Sequence, residues 1–385
     1  MADKSLRPGR ARSASRNEVR EQMRRFLRDP EHEPADHGPP RPGAGSPTDA
    51  PVWESLTTRD GLPHDWIYDL FADSTGAVWV GTWGGGLARR DDGGWRVYTQ
   101  ADGLASAAVT CVREDPYGGI WAATSAGLCR LEGERFVDAG LTGSSLLTIC
   151  FDDAGRLWAG AWRASRTGGG LHLLRPRDAS GAGRWQAFGS GDGLPGLEIL
   201  RILQDSRGHL WVGTYDRGHG AGVGRFDGRR WRAFNRADGL AGDCVYAMAE
   251  DRDGHLWFGT TEGVSVFDGA RWRRVTRRDG LVDDRVYAVT VDDRGALWFG
   301  TEGGVSRFDG ATWTSFTRED GLVENLVRTI AQDREGALWF GTYPYARDRG
   351  GISIARSAGA AARSLTAPAA PAAPAARGPR RLPGG

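Results

Sequence analysis

An internal repeat constrains this chain more than any other feature. From Asp279 to Thr317 the sequence reads DGLVDDRVYAVTVDDRGALWFGTEGGVSRFDGATWTSFT. Nearly the same string begins again at Asp320, with earlier copies at Asp238, Asp192, Asp102 and Asp60. The Trp of the LWFGT core recurs at Trp79, Trp121, Trp158, Trp211, Trp257, Trp298 and Trp339, at spacings of 42, 37, 53, 46, 41 and 41 residues. Seven units of this size, none able to bury its own apolar faces, must pack on one another.

Each unit reads as four short strands. RVYAVTVD and ALWFGT are rich in β-branched and aromatic residues, which suit strands. The intervening Asp293 to Gly295 places Asp first and Gly last in a tight turn, where Asp bonds the backbone and Gly tolerates positive φ. GVSRF and TWTSFT follow as strands three and four, and Asp309-Gly310 between them reads as a primed hairpin turn with positive φ at both residues. Four-stranded antiparallel meanders of this length pack radially, so an all-β, seven-bladed β-propeller is expected. The seventh unit stops after Gly350 to Ala355 without a fourth strand, whereas Val52 to Thr58 is a fourth strand with no preceding three. The two fragments complete each other: Val52 to Thr57 should pair beside Ile352 to Ala355 and bring Trp53 onto the last blade.

The recurring pattern DGLxxxxVYxLxxDxxGxLWxGTxxGG resembles the two-component regulator propeller repeat over Val52 to Arg356. That resemblance implies a seven-bladed sensor module of bacterial signalling, of a kind that precedes a histidine kinase. No kinase, further β-domain or membrane span reads from this sequence, so a kinase role does not carry over. The third copy, from Asp138, departs furthest from the pattern.

Charge separates ring from ends. The net charge of +1 divides into +6 over residues 1 to 28, −4 over 29 to 51 and +5 over 356 to 385, leaving −6 on the propeller. An acidic ring lacks the basic stripe that nucleic acid requires, which argues against nucleic-acid binding by the ring. Cys111, Cys129, Cys150 and Cys244 show no CxxC spacing and read as buried free thiols. His172, His209 and His255 are scattered, so no metal site or cofactor is expected. No apolar run approaches the roughly 20 residues of a membrane helix. Arg24 to Leu27 (RRFL) is followed by Asp29, Pro30, Glu31 and Glu33 where a signal would be apolar, and these features together lead to the expectation of a monomeric, cytoplasmic protein without membrane attachment.

Residues 1–51 read as a basic, then Pro/Gly-rich, disordered tail, with a short helix over 16–28 supported by Ser15 and Glu18 at capping-box spacing. Residues 52–356 are the propeller. Residues 357–385, rich in Ala, Pro and Arg, cannot build a core and read as a second disordered tail.

In a blade that runs from axis to rim, the loops between strands two and three share one face with the blade-to-blade connections. That face carries nearly all of the length variation, and function lives preferentially on such loops. Of 16 Trp, seven belong to the LW core and six (Trp53, Trp95, Trp185, Trp231, Trp272, Trp313) recur in strand four. Trp66, Trp83 and Trp162 remain, all on the loop face, joined there by Tyr215, Tyr343 and Tyr345. His64, Asp65, Arg163, Arg166, Asp216, Arg217, His219, Glu262, Glu302 and Arg347 flank them. Exposed aromatics with convergent polar groups suit a small polar ligand or a partner protein, the alternative being that they plug the channel mouth. Asp65, Asp243, Asp284 and Asn325 recur three residues after the Leu of DGL and read chiefly as caps of the connection.

No nucleophile motif is present, so the expected function is non-catalytic recognition, as a sensor or scaffold component of signalling. Streptogramin lyases are similar seven-bladed propellers and supply the enzymatic alternative. A metal-dependent lyase site would need a His with acidic groups on the loop face, where His64, His219, Glu262 and Glu302 are available.

Overall fold

In the computed structural model, which describes residues 51–162, 170–175, 184–216, 219–343 and 350–356, the repeats build seven four-stranded antiparallel sheets. The first blade shows the plan: strands Ile67–Ala72, Val78–Thr82, Leu87–Asp91 and Gly94–Tyr98 pair in sequence order. The first strand of each blade packs on the first strand of the next, and that of the seventh, Val327–Gln332, returns to Ile67–Ala72. Seven such strands surround the axis. The second strands are wholly buried in most blades and supply the interblade core.

Closure follows the expected pairing. Strand Val52–Leu56 lies antiparallel to Ile352–Arg356, with Trp53 opposite Ala355 and Leu56 opposite Ile352. Trp53 packs against Phe340 of the same blade and Phe316 of its neighbour, at ring-centroid distances of 5.7 and 5.6 Å. The chain entering the ring therefore completes the blade that the chain leaves, and Val52–Leu56 becomes its outer strand.

Two local devices repeat the blade. One is the DxxG turn, whose first Asp accepts the indole N–H of the LW Trp six residues later in all seven blades, at 2.7 to 2.9 Å. The turn-forming Asp in the sixth blade is Asp292, one residue before the expected Asp293, which instead donates its N–H to Gln332 of the next blade. The other is the connection between blades. Thr317 opens a 3-10 turn, Asp320 accepts the N–H and hydroxyl of Thr317, and Gly321 closes it at φ 118°. A Cβ on that glycine would stand 2.8 Å from the ring of Trp53, so fourth-strand Trp and connecting Gly are matched.

The Asp309-Gly310 turn differs from expectation. Gly310 alone has positive φ, because the Asp309 carboxylate accepts the N–H groups of Ala311 and Thr312 and holds a wider, four-residue loop. The third connection also departs: Leu141, the single described non-glycine residue at positive φ (56°), replaces the regular 3-10 turn. The helix expected over 16–28, both tails, and Arg163, Arg166, Arg217, Tyr345 and Arg347 lie outside the described residues, and only the backbone of Asp216 lies within them.

Candidate functional site at the mouth of blades seven and one

In five of the blades, the first, second, third, sixth and seventh, the residue after the second strand hydrogen-bonds back to the residue before the first strand. Trp83 N–H donates to the Trp66 carbonyl at 3.1 Å, Trp162 N–H to Ser145, Glu302 N–H to Arg285 and Tyr343 N–H to Leu326. This ladder end brings the loops and connections onto one face, as the topology requires. It also decides which side chains become neighbours.

Trp66 and Trp83 meet in one cluster at the junction of blades one and seven. The Trp66 ring lies 4.9 Å from Tyr343 and 5.7 Å from His64. Tyr68, from the innermost strand, stacks on Trp83 at 5.1 Å and meets Tyr343 edge-on at 5.4 Å. Arg328 of the seventh blade places its guanidinium 4.9 Å from the Tyr68 ring centre, within cation–π range. Burial pushes the Tyr68 phenol up to about 12, with Arg328 opposing and Tyr343 reinforcing the shift, so the hydroxyl stays protonated. Trp83 is the most open member, 39% exposed. His64 accepts the Trp66 N–H on Nδ1 at 2.9 Å, which leaves its other nitrogen to carry the proton of the neutral ring.

Trp162 is elsewhere. It stacks on Tyr215 at 5.7 Å between blades three and four and forms a second, smaller aromatic station. Two expected acidic contacts have local partners: Glu302 accepts from Arg285 at 2.8 Å and from the Tyr287 hydroxyl at 3.3 Å, while Glu262 pairs with Arg236. Asp65 accepts the Thr58 N–H at 2.6 Å, and Asp243, Asp284 and Asn325 cap their own connections in the same way. His219 is exposed on the fourth blade. Thus His64, His219, Glu262 and Glu302 stand on four different blades, and among the described residues no three His, Cys, Asp or Glu form a metal-holding group. Sequence reasoning passed over Tyr68 and Arg328 because both occupy the regular first-strand register, where a tyrosine also recurs at Tyr246 and Tyr287.

The innermost strands carry a second polar group, deeper in the channel. Asp69 is buried and accepts the Val112 N–H at 2.8 Å and the Arg113 guanidinium at 2.7 Å.

Fold and site together define a closed, seven-bladed propeller with an aromatic cluster where its last and first blades meet. Five of its repeats, at residues 61–84, 193–216, 239–262, 280–303 and 321–343, match the two component regulator propeller family, and these repeats belong to that family. No curated protein matches the chain. Among solved structures it is similar to the extracellular domain of the hybrid two component system BT3049 from B. thetaiotaomicron, with a TM-score of 0.68 and 19% identity over 86% of this chain and 46% of that one. The extracellular domain of BT4673 from the same organism has a TM-score of 0.64 and 19% identity, covering 79% of this chain and 40% of that one. The chain therefore spans less than half the length of these two domains. Virginiamycin B lyase from Staphylococcus aureus shares the fold at a TM-score of 0.57 and 15% identity, covering 80% of this chain and 99% of that one. Because the BT3049 and BT4673 structures are extracellular domains, the cytoplasmic location expected from the sequence is withdrawn. Among the described residues no helix is long and apolar enough to cross a membrane.

Proposed function

We propose that this propeller is a non-catalytic recognition module of a signalling protein, and that the mouth at blades seven and one binds a small polar ligand or a segment of a partner protein. The observation that carries this reading is the cluster of Trp66, Tyr68, Trp83 and Tyr343 with His64 and Arg328. Blade packing does not require these rings, because the LW and fourth-strand aromatics already fill the interblade core. Aromatic faces beside a guanidinium and a neutral imidazole offer stacking and directional hydrogen bonds, the usual equipment of a polar-ligand site.

The test is saturation-transfer NMR of the full chain against a library of sugars, amino acids and capped peptides. Binding by at least one class, lost in Trp66→Ala and Tyr343→Ala with little change in melting temperature, supports the reading. Rings that only plug the channel would give no binding and a lower melting temperature in both variants. A lyase reading has the shared fold alone behind it; turnover of a cyclic antibiotic, abolished in His64→Ala, would favour it.

A further inference from the structure

A cleft of about 300 Å3 opens between the third and fourth blades and shares no residue with the mouth cluster. Its wall is aromatic. Phe226 and Trp231 of the fourth blade stack at 4.9 Å, and Phe188 of the third blade lies 6.1 and 6.2 Å from them. Trp158 and Leu173, both buried, form its floor. Arg156, Arg175, Gln186, Asp192 and Arg229 supply the polar lining.

Two side chains explain why the cleft exists. On the third strand, the residue opposite the LW Trp is an arginine in four blades, Arg89, Arg130, Arg225 and Arg307, and each guanidinium lies 5.4 to 5.8 Å from that Trp ring. Leu173 takes this place opposite Trp158. The next junction gives the direct contrast. There Arg225 covers Trp211, and Arg207, two residues after the turn Asp205, reaches across to the fifth blade, where a Cβ on Gly269 would stand 2.7 Å from its guanidinium. The matching space shrinks to about 10 Å3, room for one water molecule at most. The third blade has Ala154 where the fourth has Arg207, and a Cβ on Gly228, the counterpart of Gly269, would meet nothing within 4 Å. The fifth and seventh blades also lack the arginine, with Val266 and Ile354, but their Trp rings are covered from the following blade: Phe299 lies 5.8 Å from Trp257, and Arg90 lies 5.5 Å from Trp339.

The cleft is positive on an otherwise acidic ring. Arg156, Arg175 and Arg229 line it against one carboxylate, Asp192, which already accepts the Gly189 N–H at 2.8 Å. The arginines retain unpaired donors. Arg156 gives its Nε to Asp152 at 2.7 Å, and Arg175 gives Nε and one terminal nitrogen to the Gln186 side chain at 2.9 and 2.6 Å. A guanidinium carries about five N–H groups, so both keep an edge for a further acceptor while their own partners hold them in place.

We infer that this cleft binds a small aromatic carboxylate, its ring on the wall of Phe188, Phe226 and Trp231 and its carboxylate at Arg156, Arg175 and Arg229. Aromatic faces stack on a ligand ring, and guanidinium forks pair with carboxylate oxygens through charge-assisted hydrogen bonds. Ligand sites span roughly 300 to 1,000 Å3, and this cleft stands at the small end of that range, which suits an acid of one or two rings. Its occupation does not depend on a ligand at the mouth.

The test is isothermal titration calorimetry of the full chain with sodium benzoate and sodium indole-3-acetate, each compared with its neutral amide. Saturable binding of at least one acid is expected, at least fivefold tighter than that of its amide. Leu173→Arg restores the side chain that four other blades place here; it should weaken binding at least tenfold and leave the melting temperature in place. Arg278→Gln, on the surface elsewhere, should leave binding unchanged. If Leu173→Arg fails to fold, the double variant Arg175→Gln, Arg229→Gln decides: the preference for acid over amide is lost if the cleft holds the ligand and kept if it does not. No saturable binding of either acid, equal affinity for acid and amide, or binding unaltered in Leu173→Arg overturns the inference. Binding that survives Leu173→Arg but is lost in Trp66→Ala would place the ligand at the mouth, overturning the cleft site while supporting the recognition reading.

Discussion

Asp251 accepts the indole N–H of Trp257 at 2.9 Å, six residues along the chain and across the first hairpin of its blade. The same bond in every blade explains why the repeat keeps Asp and Trp at that distance. It satisfies a buried indole that would otherwise cost the packing of the second strand, and it fixes the hairpin turn through the same carboxylate.

Removing one such carboxylate is expected to cost more than an ordinary surface change. In Asp292→Ala the buried Trp298 indole and the N–H groups of Arg294 and Ala296 lose their acceptor, an effect of about 3 kcal/mol for buried donors left unpaired. Asp292→Asn keeps an acceptor and should recover part of the loss. Chemical denaturation of the two variants checks the order.

One of these turns is expected to respond to pH. His255 Nδ1 lies 3.0 Å from Asp251. Burial lowers the His255 pKa, but the Asp251 carboxylate outweighs it and raises the value overall; Asp251, despite its burial, is held below the usual carboxylate range by His255 and Trp257. A raised His contributes fully below its unfolded value of about 6.5 and loses that contribution as pH rises through the folded value. A lowered Asp contributes above its unfolded value of about 3.9 and loses it as pH falls through the folded value. The pair is therefore strongest between those limits. The stability difference between wild type and His255→Asn should shrink by about 1 kcal/mol from pH 6 to pH 9. A difference that grows over that range would show the sign to be wrong.

Gly280 and Gly228 should separate backbone strain from collision. Both have positive φ, 123° and 94°, but a Cβ at Gly280 would stand 2.3 Å from the Trp313 ring, whereas nothing lies within 4 Å at Gly228. Gly228→Ala is expected to cost about 1 kcal/mol, the conformational component alone. Gly280→Ala should cost at least twice as much, measured by the shift in melting temperature.

Closure gives the fourth expectation. Trp53→Ala removes the ring between Phe316 and Phe340, and a loss of about 3 kcal/mol follows from the cavity. Deleting the chain through Leu56 removes the whole outer strand of the seventh blade and should abolish cooperative unfolding.

The architecture was legible because each level of the sequence repeats the same instruction: strand pattern, turn chemistry and Trp spacing agree in seven copies, and the orphan strand at Val52 matches the gap after Ala355. The indole bonds were not, since the turn Asp reads as a turn former whether or not a Trp lies over it. Subtracting the repeat singled out Trp66, Trp83 and Tyr343, which the ring brings together, and Trp162, which it places with Tyr215 instead. Tyr68 and Arg328 escaped that subtraction because they occupy ordinary strand positions. Their meeting depends on closure of seven blades around an axis, which no local pattern records. Glu262 and Glu302 looked available because their partners, Arg236 and Arg285, lie far enough away in sequence to be invisible as pairs.

The central claim, recognition at the mouth of blades seven and one, is tested most directly by fluorine NMR of the chain labelled with 5-fluorotryptophan at its 16 Trp positions. Addition of a ligand found by screening should shift the resonances of Trp66 and Trp83, assigned by single substitution, and leave those of Trp257, Trp298 and the other LW residues in place. Shifts confined to Trp162, or spread evenly over the blade-packing residues, would contradict it.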